Sequence, residues 1–178
     1  NKHLQIANIS NKTIIKDNPE LTCRINGLLN TSPSRIILDK NLKIPIYSKI
    51  IKNAKKYKTL VFYNKNNDRK LKLLKKLKVK TFKIELCKNG YLDLVKSLFK
   101  AKSLGFSRIF LETGLNLSVK FLKNNLVDEL KVFASNHNIR THGRNNIKQH
   151  LNKLLINKKP FYEKVNLFGD VLKSYKIK

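Results

Sequence analysis

Short apolar runs alternate with amphipathic stretches along this chain, and that alternation predicts an α/β fold assembled from β-α-β units. Ser34 to Asp39 (SRIILD) and Thr59 to Tyr63 (TLVFY) are rich in Ile, Val and aromatics between polar turn formers, the pattern of buried strands. From Arg69 to Leu77 the residues Leu71, Leu74 and Leu77 recur every third position, with Leu73 beside them and lysines opposite. This predicts a surface helix. Val79 to Leu86 alternates with period two, and Tyr91 to Leu104 returns to a helical period through Leu92, Val95, Leu98, Phe99 and Ala101. Arg108 to Leu111 reads as another buried strand, followed by Glu112-Thr113-Gly114 and a helix over Leu117 to Asn124. Beyond it the pattern predicts a strand at Glu129 to Phe133, a polar stretch from Ala134 to Asn146 and a helix at Ile147 to Leu155. Two last strands, Tyr162 to Leu167 and Val171 to Ile177, flank a Gly169-Asp170 turn and form an antiparallel terminal hairpin. The sheet is therefore expected to be mixed, mainly parallel and flanked by helices. The polar opening from Asn1 to Ser10 receives no element and has no apolar core of a secretory signal.

With 178 residues, the expectation is one domain over 1–178 around one core. No apolar stretch approaches the roughly 18 to 20 residues of a membrane span, and the expected compartment is the cytoplasm. A formal net charge of +28 and a pI near 10.3 raise a polyanion as partner. The distribution argues against a nucleic-acid reader, because lysines spread along the whole chain carry the charge and only six residues are arginines. The lysines read as solvated faces. Cys23 and Cys87 lack C-x-x-C spacing, and the histidines His3, His137, His142 and His150 form no metal or hydrolase motif, so no metal site is expected.

Three segments concentrate residues able to do more than pack. In Thr13 to Arg24 (TIIKDNPELTCR), Asp-Asn-Pro is a turn whose polar side chains cap backbone N–H groups, and Arg24 is suited to clamp an anion. At Glu112 to Lys120, a strand end, a glycine turn and a helix start meet. In an open parallel sheet that junction is where ligands bind, because the helix start offers free N–H groups to phosphate. The adjacent Asp128 and Glu129 point apart in a strand and read as a cap and a surface charge.

The segments TIIKDNPELTCR (13 to 24), PSRIILD (33 to 39), GYLDLVKSLFKAKSLGFSRIFLETGLNLSVKFLKNNLVDEL (90 to 130) and GDVLKSYKI (169 to 177) follow one another at family spacing. Together they resemble the reductase half of the bifunctional riboflavin-biosynthesis deaminase-reductase family. The resemblance implies a dihydrofolate reductase-like fold, NADPH as cofactor, no metal, and reduction of 5-amino-6-(5-phosphoribosylamino)uracil to its ribitylamino product. It implies that Thr13 and Asp17 lie on the dinucleotide. Leu21, Arg24 and Glu112 meet the phosphorylated pyrimidine substrate, with Arg24 on its phosphate. Gly114, Leu115, Asn116, Leu117, Ser118, Val119 and Lys120 hold the cofactor phosphates. No catalytic side chain is singled out, since the chemistry rests on placing the nicotinamide against the sugar carbon. A homodimer is implied as well.

Family members begin with a strand carrying a Ser-Leu-Asp-Gly type segment and a helix with a substrate-binding arginine, which are not found before Asn1. A zinc deaminase domain often precedes them. The chain thus reads as an N-terminally truncated reductase domain, with Lys40 where members often carry a small polar residue near the cofactor and Thr113 at a usually small position. Two other classes compete with a working enzyme. A basic RNA- or ribosome-binding protein would account for the charge but not for the D-N-P-x-L-T-x-R and E-T-G spacing. An inactive reductase-like fragment would keep the core and expose a sheet edge.

Overall fold

A computed structural model describes residues 6–135, 151, 155–163 and 169–178. Its elements alternate as the periodicity predicts. In chain order they are β1 (Ile6–Ser10), α1 (Asn11–Asp17), β2 (Ser34–Leu38), α2 (Lys49–Lys52), β3 (Thr59–Tyr63), α3 (Asp68–Lys76), β4 (Lys80–Lys83), α4 (Leu94–Ser103), β5 (Ile109–Leu111), α5 (Leu115–Lys123), β6 (Glu129–Ala134), β7 (Phe161–Glu163) and β8 (Val171–Lys176). The chain divides into two compact units, Asn1–Gly114 and Leu115–Lys178.

The first unit is a parallel five-stranded sheet in the order β4-β3-β2-β1-β5. Arg35 to Leu38 of β2 and Thr59 to Phe62 of β3 are buried whichever way they point, as expected of central parallel strands covered on both faces. Ile37 and Val61 pack with Ile14 of α1, Ile50 and Ile51 of α2 and Leu74 of α3. Ile36, Leu60 and Phe62 are just as buried, and the Phe62 ring meets Phe82 edge-on at 6.0 Å. Asn67 and Asp93 start α3 and α4 by accepting hydrogen bonds from the N–H groups of Lys70 and Lys96, the N-cap role of short polar side chains.

Periodicity revealed none of β1, α1 and α2, the Thr13–Asp17 part of the expected turn segment being helical. Ile6–Ser10 (IANIS) is short and half polar, with neither an apolar run nor clean alternation. It is a strand because parallel partners flank it, Ile6 to Ser10 pairing with Ser34 to Leu38 on one side and Ile6 to Asn8 with Ile109 to Leu111 on the other. Backbone pairing on two sides overrides weak local propensity.

The second unit carries α5 and an antiparallel sheet in the order β6-β8-β7. β7 and β8 pair antiparallel as the expected terminal hairpin requires, residues 164–167 of its first strand lying outside the described residues, and Gly169 has a φ of +98°, where a side chain would be strained. α5 begins two residues before the helix that spacing predicts. The helix expected over Ile147–Leu155 falls mostly outside the described residues, as does the polar stretch holding His137 and His142. Among the described residues, no helix is long and apolar enough to cross a membrane.

Candidate active site at the carboxyl edge of the parallel sheet

All five strands of the first unit run the same way, so their carboxyl ends share one edge. Chain order climbs from β1 through β2 and β3 to β4 in one direction, whereas β5 lies on the opposite side of β1. The order therefore reverses between β1 and β5, and at such a switch point the connections after neighbouring strands diverge and leave a crevice.

The connection after β1 turns directly into α1. Ser10 caps this helix: its hydroxyl accepts from the Thr13 N–H at 3.4 Å and lies 3.1 Å from the Thr13 hydroxyl. Thr13 thus sits half-buried in the first turn, beside the strand end. Asp17 closes α1 and is exposed. After it Asn18, with φ of 43°, takes the left-handed conformation that ends the helix, and Leu21 repeats it at φ of 52°. Two left-handed residues reverse the chain sharply, so Leu21 packs against the core while Arg24 stays exposed. The connection after β5 is Glu112-Thr113-Gly114. Leu111 pairs with Asn8, so Glu112 leaves the sheet level with the end of β1, and it is exposed. Gly114 is exposed, and a Cβ built on it would meet nothing within 4 Å.

Thr13, Glu112 and Gly114 therefore lie at the carboxyl edge of β1 and β5, whereas Asp17 ends α1 and the loop with Leu21 and Arg24 follows Glu20, whose carbonyl is bonded by Arg35 at the opposite end of β2. Leu115 to Lys120 form the first turns of α5 in the second unit, where Val119 is buried while Asn116 is exposed.

Asp39 at this edge carried no role in the sequence reading, nor did Arg35 at the other end of β2. Asp39, at the end of β2, is fully buried; its carboxylate accepts from Asn11 Nδ2 at 2.8 Å and from the Ile44 N–H at 2.7 Å. It ties the first residue of α1 to the loop after β2. Lys40 beside it turns away from the β1 connection, its ammonium donating to the Gly90 carbonyl at 2.9 Å. A fully buried Arg35 stands at the opposite end of β2. The available signal was a charged residue at each end of an apolar run, which must be satisfied when the run is buried. An open surface cavity of about 450 Å³ lies at the far edge of the sheet, between α3 and β4, lined by Lys72, Lys75, Lys80 and Phe82 among others. None of the expected site residues lines it.

The parallel sheet with its switch-point edge, together with the separate antiparallel sheet, defines an α/β protein of dihydrofolate reductase-like fold. Solved structures agree. Acinetobacter baumannii RibD superposes with a TM-score of 0.70 at 22% identity, over 96% of this chain and 46% of that one. A pyrimidine reductase-like protein from Corynebacterium diphtheriae gives 0.69 at 17% identity, over 98% of this chain and 75% of that one. Riboflavin biosynthesis reductase Rib7 from Saccharomyces cerevisiae gives 0.69 at 18% identity with the same coverage, 98% and 75%. Residues 6–135 match the RibD C-terminal domain, and the chain belongs to that family. Among curated relatives, riboflavin biosynthesis protein RibD of Aquifex aeolicus is 33% identical over 123 residues, 69% of this chain and 32% of that protein. RibD of Actinobacillus pleuropneumoniae is 26% identical over 125 residues, again 69% and 32%. The chain spans about a third of the length of these curated relatives.

Proposed function

We propose that this chain is the reductase domain of riboflavin biosynthesis that uses NADPH to reduce 5-amino-6-(5-phosphoribosylamino)uracil to the ribitylamino product. Family membership supports the reductase role and the pathway. The observation that carries the site is the switch point, where the Thr13–Arg24 connection and the Glu112–Gly114 turn leave adjacent parallel strands at the same end.

These residues suit a dinucleotide and a sugar phosphate. The Thr13 hydroxyl and the exposed Asp17 carboxylate supply a donor and an acceptor for the cofactor's polar groups. The open Gly114 turn lets phosphate approach the backbone, and the start of α5 presents N–H groups favourable to an anion. A reduced nicotinamide held there would supply the hydride that the ribosyl C1′ carbon takes as its bond to the ring oxygen opens, the freed oxygen taking a proton from solvent. Arg24 holds the substrate phosphate through charge-assisted hydrogen bonds. Glu112 accepts from the substrate's polar edge, and Leu21 gives it an apolar contact. The contribution of these groups is orientation of the sugar carbon toward the hydride donor. Under this reading the protein works in the cytoplasm as a homodimer, without a nucleic-acid partner.

The test is loss of NADPH absorbance with the aminouracil ribosyl phosphate, in this chain and in Arg24→Ala. Turnover that falls about 10- to 100-fold in kcat/KM on losing a charged hydrogen-bond donor is the expected result. NADPH binding without turnover would make the chain an inactive reductase-like fold. Absence of both would overturn the reading in favour of a basic RNA-binding protein.

A further inference from the structure

Among the described residues, Arg35 is the largest fully buried side chain of the first unit, and none of the proposed chemistry uses it. Its side chain is 0% exposed at the start of β2, and burial pushes its guanidinium down to about 10, with Tyr57 and Glu20 opposing that shift. A charge in this position is tolerated only when its donors are satisfied. The acceptors are mainly backbone carbonyls from separate segments. Nη1 donates to the Glu20 carbonyl at 2.9 Å. Nη2 points at the carbonyls of Ile50 at 3.2 Å and Tyr57 at 3.0 Å and at the Thr59 hydroxyl. The guanidinium also lies 5.2 Å from the centre of the Tyr57 ring. Nε finds no partner among the described residues.

The asymmetry of this set is informative. The three Nη2 acceptors belong to α2 and to the entry into β3, which are held in the core by Ile50, Ile51, Leu60 and Val61 without help. The Nη1 acceptor belongs to the loop after α1. That loop runs from left-handed Asn18 through left-handed Leu21 to exposed Arg24 and has few other ties. Asn18 Oδ1 accepts from the Lys49 N–H at 2.9 Å, Glu20 and Lys49 form an ion pair at 3.8 Å between largely exposed side chains, and the Cys23 N–H donates to the Ser32 hydroxyl at 3.0 Å. Among the described residues, the Arg35 bond reaches the loop from a fully buried side chain on a central strand.

We infer that Arg35 is a positioning residue, which clamps the Glu20 carbonyl so that Leu21 and Arg24 are held where the phosphorylated substrate meets them. The functional half of this inference rests on the proposed reductase reading; the clamp itself does not. A planar fork is needed because one side chain must donate in two directions at once, to the loop and to the β3 entry, and a lysine's single ammonium cannot span both.

The experiment uses the full chain in three forms: unchanged, Arg35→Lys and Thr59→Val. Hydrogen exchange is followed in the peptide covering residues 19 to 26 and in the one covering β2 and β3, alongside urea unfolding. Thr59→Val removes an acceptor from the β3 side and leaves the Glu20 bond intact. Arg35→Lys is expected to speed exchange in residues 19 to 26 about ten-fold relative to β2 and β3, the effect of one lost charge-assisted bond. Thr59→Val is expected to leave that ratio unchanged even where urea shows it less stable. If both variants loosen the loop only in proportion to their global stability, Arg35 is merely a core residue and the inference falls. A kinetic arm then asks whether Arg35→Lys raises KM for the phosphorylated substrate about ten-fold with kcat within about two-fold. A KM rise in Thr59→Val equal to that in Arg35→Lys would also overturn the positioning role. Exchange that behaves as expected in a chain without any turnover would keep the clamp and sink the reductase reading instead.

Discussion

The two units of this chain solve the same problem, satisfying polar groups on a sheet, under opposite conditions. In the first, β2 and β3 are buried along nearly their whole length, and the charged ends of β2, Arg35 and Asp39, lie at 0% exposure with almost every hydrogen-bonding atom engaged. In the second, β6 alternates exposed and half-buried residues, Phe133 and Phe161 stand 65% and 71% exposed, and the polar cluster is at the surface. There Lys131 reaches Glu129 at 3.2 Å and also bonds Glu163, whose carboxylate accepts from the Ser174 hydroxyl. A parallel sheet covered on both faces turns each polar group into an obligation, whereas an antiparallel sheet with a wet face lets water substitute for any lost partner. The cost of a substitution should therefore follow the unit it falls in more than the chemistry it removes.

The largest expected difference is between apolar residues. Ile37→Ala, at a fully buried site, is expected to destabilise the protein by about 2 to 5 kcal/mol in urea unfolding, while Phe161→Ser costs less than about 0.5 kcal/mol. Comparable losses would break the contrast. Next comes Asp39→Ala, which strands Asn11 Nδ2 and the Ile44 N–H, with an expected cost of about 2 kcal/mol by the same measurement. Asp39→Asn keeps one acceptor oxygen and should fall between it and the unchanged protein; an Asn variant as weak as Ala would mean that charge matters there more than hydrogen bonding.

The smallest effect belongs to the surface cluster and is best read by pH. Hydrogen bonds from Lys131 and then Ser174 hold the Glu163 carboxyl below its usual 4.5, so the folded state releases this proton more readily than the unfolded chain does. The stabilisation is complete above that ordinary value and disappears as pH falls through the lowered one. A urea series across the acid range should show a slight loss that Lys131→Ala removes, and an NMR titration should find Glu163 back near its ordinary value in that variant. A Glu163 titration unmoved by the substitution would show that the pair is not formed in solution.

Much of the site was legible because its markers are local. Gly114 after a short apolar run and the Asp17-Asn18-Pro19 turn signal a strand end and a chain reversal from neighbouring residues alone, and the structure puts each at such a place, although the strand before Gly114 is half-buried with Phe110 exposed rather than buried as its composition suggests. Lys40 was noticed as unusual next to the cofactor region, yet its ammonium goes to Gly90, fifty positions on, a distance that no spacing rule reaches. Ser10 as the cap of α1 was equally hidden, since without β1 on record there was no strand end for it to follow.

By itself the sequence determined the alternation of strands and helices from β2 onward apart from α2, the burial of β2 and β3 and the turn at Gly169, because hydrophobic period and backbone preference act over a few residues. Tertiary structure alone decided that Ile6–Ser10 is a central strand, that β5 joins it on the far side and so creates the switch point, and that Arg35 and Asp39 are fastened to Glu20 and Asn11. Each of these depends on partners 15 or more positions away, brought together only when the sheet closes and water leaves.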